Sequence, residues 1–543
     1  MPDPSPHSSY PQANGESYLE LEPQVGEDFE SESLLDLLVL EANIAADTLR
    51  DGRDAPSPSA ASQRLAEFSN GQLSTEQALR LWVGDFKSQI AETDYASWKQ
   101  QAALRLTYHV AEIDRLISEQ LNEVLHHARF QALEASWRGL RMLVDSASAE
   151  GTRQVRVRVL NVSWREVQRD FERASEFDNS TIFRKVYEEE FGTPGGTPYS
   201  MLVGDYEVHP RPTAAHPYDD MATLGHLAGV AAAAFCPFVC GASPSLFGVD
   251  NFVDLQHTQD LGRGFLLPEF VKWRSLRKQE DARFVGLAMP RVVMRKPYEI
   301  EDTRGFCFQE DVAVGHLGNY LWGNAAYAWA GVLIRTFAQS GWLADIRGTE
   351  RNHVGGGLVT DLPSISFNTD RDGVGLRSST DLVVTDQQES ALAKLGFLPL
   401  CQCHDTPYAA FYSSQSIQEP AAYDDEVATA NANISSMLQY MLCVSRFAHY
   451  LKVIARDVIG SATEPDEMEG VLDAWIKQYV TPDDSAKPEV KARRPLRKAE
   501  VTVSRDPGRP GSFQCTFSLL PHYQLDDLSA SIRLQTTMSN RDK

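Results

Sequence analysis

Leu227-Ala-Gly-Val-Ala-Ala-Ala-Ala-Phe-Cys-Pro-Phe-Val-Cys-Gly-Ala242 lies at the centre of a stretch, Met221–Val249, that holds no Asp, Glu, Lys or Arg. Such a run is either a membrane span or a deeply buried part of a fold. A span needs roughly 20 strongly apolar residues. Here Ala and Gly dominate, and Pro237 and Pro244 interrupt any continuous helix. The composition predicts an Ala-rich helix packed close against a sheet, followed by a buried strand after Pro237. Upstream, Met201–Tyr206 reads as a further buried strand that ends on an acidic residue. A second run, His316–Ile334, interleaves small residues with Trp322, Tyr327 and Trp329 and reads as another core helix. Two helices of this kind predict a large mixed α/β (α+β) core.

The rest of the chain agrees with a globular reading. Its 543 residues allow about three to five domains. Hydrophobic content of 42% and charged content of 23% sit near globular averages. A net charge of −24 has the wrong sign for phosphate backbones and anionic lipid heads, which argues against nucleic acid as a main partner. Cys236, Cys240, Cys307, Cys401, Cys403, Cys443 and Cys515 are sparse and mostly in apolar surroundings, so they read as buried reduced thiols. The first residues carry neither a basic n-region nor an apolar h-region, and a cytosolic location is expected.

Acid is concentrated at the start. Residues 1–49 hold eleven Asp or Glu and no Lys or Arg, so 1–30 is expected to be a disordered acidic tail. Within 31–62, Leu34, Leu35, Leu38, Ala42, Ala45 and Leu49 recur at helical spacing and are followed by a Pro/Ser/Ala linker. Two readings of this short helix stand: a docked first helix of the fold, or a tethered peptide that a partner's groove captures. Residues 63–148 read as a helical region, with Leu116, Ile117, Leu121, Val124 and Leu125 on one face. Residues 149–425 form the expected α/β core, and 426–543 a C-terminal segment. At the head of the core, Arg153–Val162 alternates with period two and predicts a strand, basic on one face and apolar on the other.

Catalytic signatures are sparse. Phe191–Pro198 (FGTPGGTP) lacks the Gly-Lys-Ser/Thr ending of a phosphate loop, and its prolines remove amides, so it reads as a structural turn. His353–Val359, with its glycine run, reads as a loop that must turn sharply. His126 and His127 are adjacent on a helix and point about 100° apart, too divergent to share one ion. Cys401-Gln-Cys403-His404-Asp405 is the best metal candidate, but one intervening residue is short for a zinc knuckle. No catalytic residue, cofactor or metal is assigned. In the C-terminal segment, 435–460 predicts one long helix ended by Gly460, with an apolar stripe of Phe447, Leu451, Ile454 and Val458. His449, Lys452 and Arg456 form a basic row on another face, open either to a solvated role or to a partner. Three short strands follow at 498–504, 512–520 and 529–535.

Five strings in this order carry a family resemblance: 130–140 (FQALEASWRGL), 186–196 (VYEEEFGTPGG), 320–328 (YLWGNAAYA), 445–452 (SRFAHYLK) and 521–528 (PHYQLDDL). They make the chain similar, from about 110 to 537, to the large sheath subunits of bacterial type VI secretion systems, the TssC/VipB family. The segment 72–108 departs from the family pattern.

The resemblance implies a structural subunit and not an enzyme: a contractile-tail-sheath-like core behind an N-terminal helical region. It would pair with a small sheath subunit (TssB/VipA-like), polymerise as a helical sheath around a tube of Hcp rings, meet baseplate components, and contract to drive the tube out. A ClpV-like AAA+ ATPase would recycle the sheath by reading the helix of Leu34, Leu35, Leu38, Ala42, Ala45 and Leu49, which favours the tethered-peptide reading. Sheaths of this family exchange strands between subunits, which makes Val501, Val503, Phe513, Cys515 and Phe517 the strand-exchange candidates. The row His449, Lys452 and Arg456 is expected to touch the inner tube or a neighbouring subunit. No nucleic-acid contact and no membrane insertion are expected. Two alternatives remain: an α/β enzyme without a recognisable motif, which would show turnover or bound metal, and a monomeric binding module, which would stay small beside a small subunit.

Overall fold

The computed structural model describes Gln77 and residues 95–149, 155–214, 216–258, 260–299, 305–312, 317–349, 354–363, 378–404, 406–458, 465–483, 485–505, 513–522 and 532–538. The acidic tail, the helix at 34–49, its linker, the turn 507–511 and Gly460 lie outside these residues. The chain divides into two units, Met1–Ile117 and Ser118–Lys543. In the first, the described part is helical and leads into helix α1 (Tyr95–Leu125). The second holds everything that follows.

A six-stranded sheet organises the second unit. Its strands are β1 (Leu202–Val208), β2 (Phe238–Ala242), β3 (Val285–Met289), β6 (Leu358–Val359), β7 (Phe397–Gln402) and β8 (Ala409–Phe411). The order is β1-β2-β3-β7-β8-β6, with the first four parallel and β8 antiparallel to both neighbours. β4 (Val292–Val293) and β5 (Trp322–Gly323) form a separate short ladder. Parallel strands are covered on both faces and read as continuous apolar runs. Accordingly β2 and β3 are buried at every position.

Alternation still sorts their side chains. Phe238, Cys240, Val285, Leu287, Phe397 and Cys401 enter one core, while Val239, Ala288, Leu398 and Leu400 enter the other.

The Ala-rich run does what its composition predicts. Helix α4 (Asp220–Ala234) connects β1 to β2 and packs into the first core. It starts on Asp219, whose side chain accepts the Ala222 amide, and stops at Phe235, held in the left-handed region at φ 49°. Ahead of it come α2 (Ala128–Ala149) and α3 (Trp164–Arg173); the described residues between them, 155–163, lie in neither helix nor strand. Helix α5 (Val271–Arg277) precedes β3.

On the opposite face lies α6 (Ala325–Ser340), with Trp329 wholly buried. It begins at Ala325, because the Asn324 side chain caps the Ala326 amide and donates to the carbonyls of Gly204 and Tyr206 on β1. Helix α7 (Asp386–Lys394) leads into β7.

The expected long helix at 435–460 is α9 (Leu438–Val458), which starts three residues later than expected and is preceded by a separate helix, α8 (Glu426–Ser435). Between them the backbone is captured by the 414–416 strand-like stretch: the Ser416 amide donates to the Ser436 carbonyl at 2.9 Å and the Leu438 amide to the Ser414 carbonyl at 2.7 Å. Then come α10 (Pro465–Ile476), α11 (Pro488–Arg493) and a three-stranded antiparallel sheet of β9 (Leu496–Arg505), β10 (Phe513–Pro521) and β11 (Ile532–Met538). A third core joins these strands to α9 and α10, with the Trp342 ring stacked on Phe447 at 4.0 Å.

The expected strand at 153–162 is not formed: its described residues, 155–162, lie in neither a strand nor a helix. Of the seven cysteines, Cys307 and Cys403 are partly exposed and the other five buried, and none is in a disulfide.

Candidate assembly site

The string 130–140 sits on α2, and its residues divide by the direction each faces. Ala135 is buried, and Gly139 faces the Tyr327 ring of α6, where a Cβ would come within 2.5 Å. The Glu134 carboxylate accepts from Arg295 Nε at 2.8 Å and from Arg138 Nε at 2.7 Å. Arg295 also binds Glu310, whose carboxylate receives the Tyr298 amide and meets His126. Burial raises the proton affinity of Glu310, but these partners outweigh it and hold the carboxyl below its ordinary value. Ser136 donates to Asp205 on β1. What remains points outward: Phe130, Leu133, Trp137 and Val144 form an exposed apolar stripe, with Trp137 at 65%. Singly exposed apolar residues are ordinary on a monomer, whereas a contiguous row on one helix face is a candidate interaction surface.

The basic row on α9 faces inward. His449 is 2% exposed, and its Nε2 donates to the Ala234 carbonyl at 3.0 Å, serving the C-terminus of α4. Burial pushes its pKa down to about 4. Lys452 Nζ lies 3.6 Å from the Phe191 ring centre and 4.9 Å from that of Tyr187, and burial, with Arg456 nearby, lowers it to about 8. Arg456 donates to the Thr193 carbonyl at 3.1 Å. Within the chain this row grips the π-helical turn Arg184–Gly192 and the end of α4, which removes the buried His449 from any outside contact and leaves Lys452 and Arg456 half-buried.

The strand-exchange candidates are also redistributed. Val501, Val503, Cys515 and Phe517 all point into the third core. β10, which carries Phe513, Cys515 and Phe517, is the central strand, with β9 and β11 occupying its two edges. On the outer edge of β9, the Thr481 amide takes the Leu496 carbonyl and the Val503 amide donates to the Glu469 carboxylate. Among the described residues, β11 pairs only with β10.

The sequence reading missed one polar cluster. Asp220, 1% exposed, accepts from Trp164 Nε1 at 2.7 Å, from the His209 amide at 2.8 Å and from His216 Nε2 at 2.8 Å. The His209 and His216 rings stack at 4.2 Å. Burial opposes charge on Asp220, yet hydrogen bonds from His209, His216 and Trp164 keep its carboxyl below the usual range. Two imidazoles and a carboxylate are a possible metal set, and among the described residues this is the group with ligand atoms close enough. Its atoms already satisfy one another, and what they do in the fold is clamp the end of β1 to the start of α4. The only signal was the i,i+4 pair His216/Asp220. Cys403, from the candidate first weighed, instead has its sulfur 3.7 Å from the Tyr412 hydroxyl.

Comparison with known proteins decides the family. Residues 107–418 match the family model VipB, "EvpB/VC_A0108, tail sheath N-terminal domain", and 427–538 match VipB_2, "EvpB/VC_A0108, tail sheath gpW/gp25-like domain". The chain is also 42% identical over 430 residues to "Type VI secretion system sheath protein TssC1" of Pseudomonas aeruginosa, covering 78% of this chain and 84% of that one. The chain belongs to the VipB family of type VI secretion sheath large subunits. As a VipB subunit it is one of a family of structural sheath proteins. The two VipB matches meet at the loop before α8, yet Ser118–Lys543 is one compact unit. No described helix is long and apolar enough to cross a membrane.

Proposed function

We propose that this chain pairs with a small sheath subunit, polymerises in the bacterial cytoplasm around an Hcp tube on a baseplate, and contracts to propel that tube, without catalysis of its own. The observation that carries this reading is the match to both VipB domains over 107–418 and 427–538. The exposed stripe Phe130, Leu133, Trp137 and Val144 supports it as a surface for a neighbour. In the same reading the outer edge of β11 is the edge for inter-subunit strand exchange, replacing β10. The helix of Leu34 to Leu49, outside the described residues, is the segment read by a ClpV-like ATPase once contraction has occurred. Co-expression with the cognate small subunit followed by negative-stain microscopy tests the proposal: stable heterodimers and tubules are expected, and their absence overturns it. Removal of residues 31–50 leaves tubules intact and abolishes ATPase-driven disassembly.

A further inference from the structure

At the end of β1 the chain turns back and brings three metal-ligating side chains to one point. His209 follows the last residue of β1, and its amide donates to Asp220 Oδ2 at 2.8 Å. The loop then closes a turn of its own: the Thr213 amide donates to the His216 carbonyl at 2.7 Å, and the His216 amide to the Thr213 hydroxyl at 3.1 Å. Asp220 opens α4 four residues later. The two imidazoles stack, and Tyr218 stands edge-on to the His216 ring at 4.9 Å. One ligand atom from each of the three residues lies within 4.8 Å of the other two. His216 Nε2 is 2.8 and 2.9 Å from the two Asp220 oxygens, and His209 Nδ1 is 3.4 Å from Oδ2 and 3.1 Å from the Glu207 carbonyl oxygen. Around a tetrahedral zinc ion with bonds of about 2.0–2.1 Å, ligand atoms stand roughly 3.3–3.4 Å apart. His209 and Asp220 already keep that spacing, and His216 reaches it by moving about half an ångström.

We propose that His209, His216 and Asp220 bind one zinc ion, with water in the fourth position. Two imidazole nitrogens and one carboxylate oxygen are a zinc donor set, whereas magnesium and calcium take oxygen ligands. The carboxylate is also oriented as a metal ligand is, by donors that are not themselves ligand atoms: Trp164 Nε1 from α3 reaches Oδ1 at 2.7 Å, and the His209 amide reaches Oδ2. The Asp220 side chain is wholly buried, while those of His209 and His216 keep 26% and 20% of their surface exposed, which gives the ion an entry path and the water a place. Cations carried close by are already paired, Lys272 with Asp219 at 2.6 Å and Arg211 with Glu269 at 2.8 Å. The hydrogen-bonded cluster and the metal site are two uses of the same atoms. The ion takes the place of the proton between His216 Nε2 and the carboxylate, and it cross-links the end of β1 to the start of α4.

The test uses the full chain, stripped with a chelator and dialysed, with Zn²⁺ alone as the probe. One Zn²⁺ per chain is expected by equilibrium dialysis, and the melting temperature should rise by about 3 °C when Zn²⁺ is in hundredfold excess over Kd. X-ray absorption at the zinc edge should show a shell of nitrogen and oxygen that includes two imidazoles. His209→Gln and His216→Gln should each weaken binding by about a hundredfold, and Trp164→Phe, which leaves every ligand in place, by about tenfold. No Zn²⁺ bound at micromolar concentration overturns the inference. So does one Zn²⁺ held as tightly by both histidine variants as by the parent, or a shell that contains sulfur, which assigns the ion to a cysteine. If the variants do not fold, the absorption edge of the parent decides. None of these outcomes bears on the sheath function proposed above, which tubule formation reads separately.

Discussion

His449 shows how far one side chain's role depends on what stands opposite it. In sequence it is the first member of a basic row. In the fold it is a neutral donor to the Ala234 carbonyl, with its pKa near 4 against an ordinary 6.5. Between those values the unfolded chain binds a proton that the folded chain does not. His449 therefore favours the folded state above about pH 6.5, and that contribution is lost as pH falls toward 4, amounting to on the order of 3 kcal/mol. Urea unfolding between pH 4 and 7 should show this loss in the parent chain and a flatter profile in His449→Gln, which keeps a donor but does not titrate. Identical profiles would show that another group carries the acid sensitivity.

Elements were legible in the sequence where composition leaves one physical solution. The Ala-rich helix α4 and the strand β2 were read correctly because a charge-free run broken by Pro237 has little else to become. The string 130–140 was legible as a helix, but not its division of labour. Only the fold shows Glu134, Ser136 and Gly139 turned toward Arg295, Asp205 and Tyr327, and Trp137 turned out. The break between α8 and α9 was not legible, since Ser436 and Met437 keep the helical pattern and are diverted by backbone bonds from residues 414–416. The alternation at 153–162 misled, because a period-two pattern makes a strand only where a neighbour supplies the ladder, and the described residues 155–162 form none. Trp137→Glu tests the stripe at this scale. With so little of the ring buried, unfolding stability should stay within about 0.5 kcal/mol of the parent, while tubules on co-expression are lost. Tubules formed as readily as by the parent would remove the stripe from the interface.

At the scale of the whole molecule, the boundary near residue 425 separates two family matches but not two folding units. Helix α9 lies on the C-terminal side of it, yet Leu438 and Leu442 enter the core on one face of the six-stranded sheet, Met441 enters the other, and His449 serves α4. Farther along, Val444, Phe447 and Leu451 form the third core with β9 and β10. A fragment ending at 425 would expose the surface that Leu438, Met441 and Leu442 cover. It is expected to lose the cooperative thermal transition of the full chain, as followed by circular dichroism. A fragment that melts as sharply as the parent would establish two independent domains.

The contact of Leu438 with the sheet has a mechanical side. Gly286, in the middle of β3, leaves no room for even a Cβ beside the Leu438 side chain, which would stand 2.6 Å from it. One end of α9 is thereby seated on the central sheet, and its middle turns are wedged under the C-terminal strands. On the proposed function, a neighbour's pull at β11 would pass through β10 to α9, whose first turn is seated on β3. The C-terminal strands and the central sheet of one subunit are thereby coupled through a single helix.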